Sequence, residues 1–363
     1  MGLKCGIVGL PNAGKSTLFN ALTSGGAVAE NYPFCTIEPN AGFAGLADPR
    51  LPQIAAAAQS AKIIPAAANF VDIAGLIKGA AQNAGLGNRF LAHIRETDGI
   101  VHVVRCFDSG DIAHVDGKVS PADDIETINA ELALADLEAA EKALAKNART
   151  AKSGDKAARA MCAVCEKISA HLNGGGMART LALDENESAA AQSLFLLTMK
   201  PVIYAANVDE TGFADNPHLR AAAEIAAAEN APLVAVCAKM EADLSGLSDA
   251  EKTELLEEYG QTQTGLSRLA RAAFDMLGLA TYFTAGEKEA RAWTFRRGMT
   301  APQAAGVIHG DFERGFIRAE ICGWKDFAEL GGEAGARAAG KLRLEGKEYA
   351  VQDGDVVHFR FNV

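Results

Sequence analysis

Gly9-Leu10-Pro11-Asn12-Ala13-Gly14-Lys15-Ser16 follows the apolar run Leu3-Lys4-Cys5-Gly6-Ile7-Val8 and precedes Thr17-Leu18-Phe19-Asn20-Ala21-Leu22. A short buried strand, a glycine-rich turn and the opening of a helix form the context that a phosphate-binding loop requires. Gly9 and Gly14 allow the backbone to turn its N–H groups onto phosphate oxygens. Lys15 reaches toward β- and γ-phosphates, and the Ser16 hydroxyl is placed to ligate Mg²⁺. Ala13 and Thr17 flank these groups and complete the expected contact set around the phosphates.

Working outward, apolar β-rich runs recur at 3–8, 69–73, 100–107, 202–206 and 233–237. Helical patterns lie between them, as at 86–97 and 217–230. Strand–helix alternation predicts an α/β fold with a mostly parallel sheet covered on both faces. The alternation stops between 123 and 198. There Ile125, Ile128, Leu132, Ala135 and Ala139 keep three- and four-residue spacing, as do Met161, Cys165, Ile168 and Leu172. Two long helices joined near Lys152-Ser153-Gly154-Asp155, and stopped by Gly174-Gly175-Gly176, predict an antiparallel helical hairpin. After Leu279, strand-like runs at 293–295, 316–321 and 356–361 predict a separate small α+β domain, with Asp353-Gly354-Asp355 as a tight turn. The expected boundaries are a discontinuous P-loop domain over 1–122 and 199–278, the hairpin over 123–198, and the small domain over 279–363.

The chain has 363 residues, 49% of them hydrophobic, enough to bury a core in two or three domains. No apolar run approaches the length of a membrane span, and the N-terminus reads as strand and loop rather than secretion signal. Seven cysteines (5, 35, 106, 162, 165, 237 and 322) form no spaced framework, which fits a reducing, cytoplasmic setting. Cys162 and Cys165 make a single CxxC inside a helical pattern, more consistent with a helix face than with a metal site. The net charge is −11, and residues 279–363 hold 12 basic and 12 acidic residues, so the acidic excess lies before them. An acidic body disfavours wide wrapping of nucleic acid but leaves room for docking through a local basic face.

Further elements narrow the phosphate loop to one type of nucleotide enzyme. Asp72-Ile73-Ala74-Gly75 ends a β-run, where the Asp can hold Mg²⁺ through water and the Gly75 N–H can approach a γ-phosphate. Thr36 lies between the first helix and that strand, where a switch loop would bring a hydroxyl to the metal. Asn207-Val208-Asp209-Glu210 follows the run 202–206, the place of a base-reading motif, and Cys237-Ala238-Lys239 follows the next run. Five elements in this order, each at a strand's C-terminal edge, predict a P-loop NTPase of the GTPase type. A metabolic kinase fits less well, because no acceptor-binding insertion is evident.

At this level of detail the chain resembles the YchF family, the Obg-like ATPases. The resemblance rests on Gly9–Ser16, Asn31–Asn40, Phe70–Gly79, Gly85–Asn88, Val103–Phe107, Pro121–Glu126, Thr281–Gly286 and Asp353–Val363, and so runs essentially end to end. It implies a G domain with an inserted helical hairpin and a C-terminal TGS domain. The implied activity is slow hydrolysis of ATP with Mg²⁺ in a cytoplasmic molecular switch, and the implied partners are ribosomes or RNA. Neither membrane nor DNA is expected as a partner. Asn12 resembles the asparagine that coordinates K⁺ in related GTPases, and His114 resembles the position proposed in the family to orient water. A thiol at Cys35, directly before Thr36, could be oxidised and distort the switch, and the resemblance implies redox sensitivity.

Two departures from ordinary GTPases concern chemistry. Those enzymes carry Asn-Lys-x-Asp, whose Asp accepts guanine N1–H and the 2-amino group, whereas Glu210 holds that position here. One extra methylene moves the carboxylate by about 1.5 Å. The two-bond pairing with guanine is then lost or strained, so guanine preference should fail. Preference for adenine is implied by the resemblance alone, and a GTPase, or a dual ATP/GTP-binding regulator with incidental turnover, is the alternative. The second departure is Leu76, where Ras-like enzymes place a water-orienting Gln. Intrinsic hydrolysis is therefore expected to be slow.

Overall fold

The computed structural model describes residues 4–23, 40–73, 86–109 and 117–362. They form two compact units: one of Lys4–Ala21 and Phe70–Gly265, the other from the described parts of Leu22–Asn69 and Leu266–Val363.

The first unit is built on parallel strands. β1 (Lys4–Val8) pairs with β5 (Gly99–Arg105), β5 with β6 (Val202–Asn207), and β6 with β7 (Leu233–Val236), all in parallel register. β4 (Ala67–Asp72) lies on the other side of β1. β1, β5 and β6 are almost wholly buried, which is why they read as apolar runs rather than as alternating ones. α1 (Lys15–Thr23) starts directly after the glycine-rich turn, with Leu18 N–H bonded to Gly14 O at 2.9 Å. α7 (Pro217–Ala228) starts where the Asn216 side chain accepts from the His218 and Leu219 amides and Pro217 fills the first turn.

The expected hairpin is α4 (Pro121–Lys152) and α5 (Lys156–Asn173), and it falls in the same compact unit as the phosphate loop. Gly154 turns the chain at φ +100°, and the Asp155 carboxylate caps α5 by accepting from Ala158 N–H at 2.7 Å. The two apolar stripes of α4 serve different neighbours. Ile125, Ile128, Leu132 and Ala135 enter the core of the sheet, while Ala133 packs with Val164 and Ile168 of α5. Buried Asp136 locks the helix to the approach of β6, accepting from the Leu197 and Thr198 amides at 2.9 and 2.7 Å. Cys162 and Cys165 both lie on α5 as free thiols. A short helix α6 (Glu185–Gln192), closed by an Asp184/Glu187 capping box, follows where sequence periodicity gave no separate element.

The second unit carries a sheet of its own. Its six-stranded sheet runs β11 (Arg343–Glu345), β10 (Phe316–Gly323), β12 (Asp355–Phe361), β8 (Leu279–Ala285), β9 (Ala290–Arg296) and β3 (Ile63–Ile64). The described parts of Leu22–Asn69 fall in this unit, and β3 is the strand they contribute to its sheet. The physical reason is backbone pairing: Ile63 and Ile64 lie in parallel register with Ala290 and Arg291, and Ser60 Oγ donates to Gly286 O at 2.7 Å. α2 (Arg50–Ala57) adds the Arg50–Asp353 ion pair at 2.7 Å. Asp353 also accepts from Thr281 N–H at 2.9 Å, and Gly354 turns at φ +91° into β12, as the Asp353-Gly354-Asp355 turn requires. Tyr282, Phe295, Phe316 and Phe359 form the centre of this unit's core. On β10, buried Glu320 meets Arg337 at 2.9 Å and Arg360 at 3.2 Å, and the arginines hold its carboxyl down to about 2.

Candidate nucleotide site

A cavity of about 560 Å³ opens at the C-terminal ends of the parallel strands of the first unit. In an open parallel sheet this edge is where ligands bind. Asn12, Gly14, Lys15, Ser16 and Thr17 line it after β1, Phe107 to Ser109 after β5, Val208 to Glu210 after β6, and Cys237 to Lys239 after β7.

The phosphate end is buried and closely fitted. Lys15 is only 8% exposed, and its ammonium donates to Leu10 O at 2.8 Å, a bond that folds the side chain back over the loop. Burial pulls the Lys15 pKa below the ordinary lysine value, and the nearby Asp72 carboxylate opposes that shift. Asp72 shows the mirror image: burial raises its pKa and Lys15 lowers it. Ser16 and Thr17 stay exposed in the first turn of α1, facing the cavity. Asn12 holds a left-handed backbone at φ 62°, and buried Ala13 offers its carbonyl inward.

Asn207 joins the two ends. Its Nδ2 donates to Ala13 O at 3.0 Å and its Oδ1 accepts from Ala238 N–H at 3.1 Å. One side chain on β6 thus ties the phosphate loop to the first residue of α8 (Ala238–Leu244). Gly14, at φ +97°, lies so near that a Cβ there would collide with Asn207 Nδ2. Glycine is required at position 14 for space as well as for its dihedral angle.

The base end is open and charged. The Glu210 carboxylate pairs with the Lys239 ammonium at 2.6 Å, with side-chain exposures of 32% and 73%. The bond to Lys239 holds Glu210 below the usual carboxylate range, helped by the glutamate's own backbone N–H, and Glu210 raises Lys239 in turn. Val208 and Cys237 are buried behind the pair, and burial pushes the Cys237 thiol up.

Among the described residues, then, Asn12, Ala13, Gly14, Lys15, Ser16, Thr17, Asp72, Asn207, Val208, Glu210, Cys237, Ala238 and Lys239 fall in or beside one cavity. Thr36, Gly75, His114, Cys35 and Leu76 lie outside the described residues. Phe107, Asp108 and Ser109 were given no site role from the sequence, yet they line the cavity, and Asp108 meets His218 Nε2 at 3.2 Å. Their position just past an apolar strand was the available signal, by the same rule that located 207–210.

The donor set suits a divalent cation. Asp72 Oδ1 is buried without a hydrogen-bond partner among the described residues. A buried carboxylate oxygen left in that condition is costly unless water or an ion meets it. Ser16 lines the cavity and Asp72 interacts with the neighbouring Lys15, so these two residues could hold Mg²⁺.

A family profile described as 50S ribosome-binding GTPase matches residues 4–144, and the YchF-GTPase C-terminal profile, described as a protein of unknown function, matches 279–362. The Ribosome-binding ATPase YchF of Haemophilus influenzae is 57% identical over 363 residues, covering all of both chains. The chain belongs to the YchF family. The Bacillus subtilis Ribosome-binding ATPase YchF is 52% identical to this YchF-family chain over 366 aligned positions, again over both full lengths. The solved YchF GTPase of Schizosaccharomyces pombe is 36% identical with a TM-score of 0.88, covering 99% of this chain and 98% of that one. The α/β class and P-loop architecture read from the sequence agree with that likeness.

Proposed function

We propose that this chain is a ribosome-associated P-loop ATPase that binds ATP with Mg²⁺ and hydrolyses it slowly to ADP and phosphate as a molecular switch. The observation that carries the reading is the joint geometry of the cavity: a main-chain cradle around buried Lys15 at one end, and a Glu210 carboxylate already held by Lys239 at the other. The first grips a triphosphate whatever its base. The second withholds the acceptor that guanine needs, and the curated relatives' names describe ATPases. Ribosome association, and with it a cytoplasmic setting, comes to this chain from the same names, and among the described residues no helix is long and apolar enough to cross a membrane.

In this reading Lys15 neutralises β- and γ-phosphate oxygens, and the loop amides from Ala13 to Thr17 orient the phosphates for in-line attack. When bound, Mg²⁺ would supply further neutralisation of phosphate charge. Ser16 and Asp72 would hold it, with Thr36 and the Gly75 N–H answering to the γ-phosphate. His114 is the proposed water-orienting group, since Leu76 has no atom that accepts a proton. Asn12 is the proposed contact for K⁺, which would supply charge that an arginine finger supplies elsewhere. Cys35 beside Thr36 makes the switch open to oxidation.

The competing reading, a GTPase or dual-specificity regulator, draws on the description of the fission-yeast relative as a GTPase. Single-turnover hydrolysis of ATP, in potassium buffer with and without ribosomes, tests the proposal. The parent chain is expected to turn over ATP slowly, and ribosomes to accelerate it. Lys15→Ala is expected to weaken triphosphate binding by about 10- to 100-fold, the worth of a charge-assisted hydrogen bond. Unchanged triphosphate binding in Lys15→Ala would overturn the reading.

A further inference from the structure

The base end contains a side chain that holds the Glu210 carboxylate and has no part in the phosphate chemistry above. Lys239 is 73% exposed and could extend into water, yet its ammonium lies 2.6 Å from Glu210 Oε1. Its own position follows from the fold: Asn207 Oδ1 holds Ala238 N–H, which fixes the backbone immediately before Lys239. Glu210 lies three residues past Asn207 at the exit of β6, where Val208 N–H is bonded to Val236 O at 3.0 Å. Two neighbouring strand exits thus bring a cation and an anion together at the mouth of the cavity.

Guanine and adenine differ in what they ask of that anion. Guanine presents N1–H and a 2-amino group side by side, two donors that need one free carboxylate. Adenine presents neither donor at those positions, so it loses nothing when the carboxylate is engaged. In this chain the carboxylate already accepts from Lys239. Guanine would have to compete with that ammonium.

We infer that Lys239 is a base-selectivity residue, which keeps guanine out by occupying the Glu210 carboxylate rather than by touching the nucleotide. Residue length at 210 then accounts for only part of the discrimination. The longer glutamate reaches the ammonium 29 residues further along the chain, and the pair together disposes of the guanine acceptor. This inference rests on the nucleotide-binding reading of the cavity.

The test is equilibrium binding of ADP, GDP and IDP to the full-length parent, Lys239→Met and Lys239→Arg. Methionine keeps much of the stem and removes the charge, so Glu210 is freed. The GDP-to-ADP affinity ratio is expected to rise about five- to tenfold, from release of an exposed ion pair and formation of charge-assisted bonds to guanine. IDP, which has N1–H but no 2-amino group, is expected to gain less than GDP. Arginine, which can hold the carboxylate, is expected to leave the ratio near that of the parent. An unchanged ratio in Lys239→Met overturns the assignment, as does a gain for IDP equal to that for GDP. Loss of ADP affinity without any change for GDP also overturns it, since Lys239 would then contact adenine directly. A parent chain that binds no nucleotide at all would instead remove the reading of the cavity itself.

Discussion

The two ends of the cavity are built from different materials. At the phosphate end, Lys15 is buried, Asn207 spends both amide atoms on main-chain groups, and Gly14 has no room for a side chain. At the base end, two charged side chains meet in partial exposure, and each could be changed without opening the core. Burial makes a group expensive to alter, because its neighbours lose their partners with it. An exposed ion pair is worth about 0–1 kcal/mol and is easily exchanged. In the proposed function, triphosphate binding thus rests on buried parts of the fold, while the choice of base rests on exposed side chains.

The contrast breaks first at Gly14. Alanine there combines a left-handed backbone with a collision against Asn207, together costing about 2–6 kcal/mol. Gly14→Ala is expected to abolish measurable ATP binding by calorimetry, and binding near the parent level would mean the loop is softer than its contacts imply. Asn207→Ala comes next. It leaves Ala13 O and Ala238 N–H unpaired in a buried place, which costs about 2–4 kcal/mol. The melting temperature should fall by roughly 5–15 °C and ADP and GDP affinity should fall together. A selective loss of one base would show that Asn207 reads the base more than it braces the loops.

A pH series sharpens the comparison with a smaller effect. Burial lowers the folded pKa of Lys15 below its unfolded value, so between those two values the unfolded chain binds more protons than the folded one. Stability of the nucleotide-free protein should therefore rise with pH through that window, while phosphate affinity falls as the ammonium is lost. Thermal melts from pH 8 to 10.5 on the parent and Lys15→Met check the sign. The Lys15 contribution should vanish in the variant.

Much of this was legible in the residues. A strand and a helix flanking Gly9–Ser16 were readable, because that loop needs local sequence alone, and both elements are present in the structure. The parallel strands were visible because β1, β5 and β6 are buried on both faces and so are apolar throughout. The pairing of β3 with β9 was not legible: β3 is two residues long, and its partner strand lies more than 200 positions away. The Asn207 brace was hidden for a similar reason, since it joins Ala13 and Ala238 across three strand exits. At Glu210 the residue type was readable and its meaning only half so. The extra methylene could be seen in the sequence, but the ammonium that it reaches could not.

Competition of GTP against labelled ATP in Mg²⁺ buffer, on the parent and on Glu210→Asp, addresses the division between the two ends most directly. ATP should displace the label far more effectively than GTP from the parent, and the shorter aspartate should narrow that gap by about tenfold while ATP still binds. GTP binding the parent more tightly than ATP, or an aspartate variant with no gain for guanine, would contradict the account.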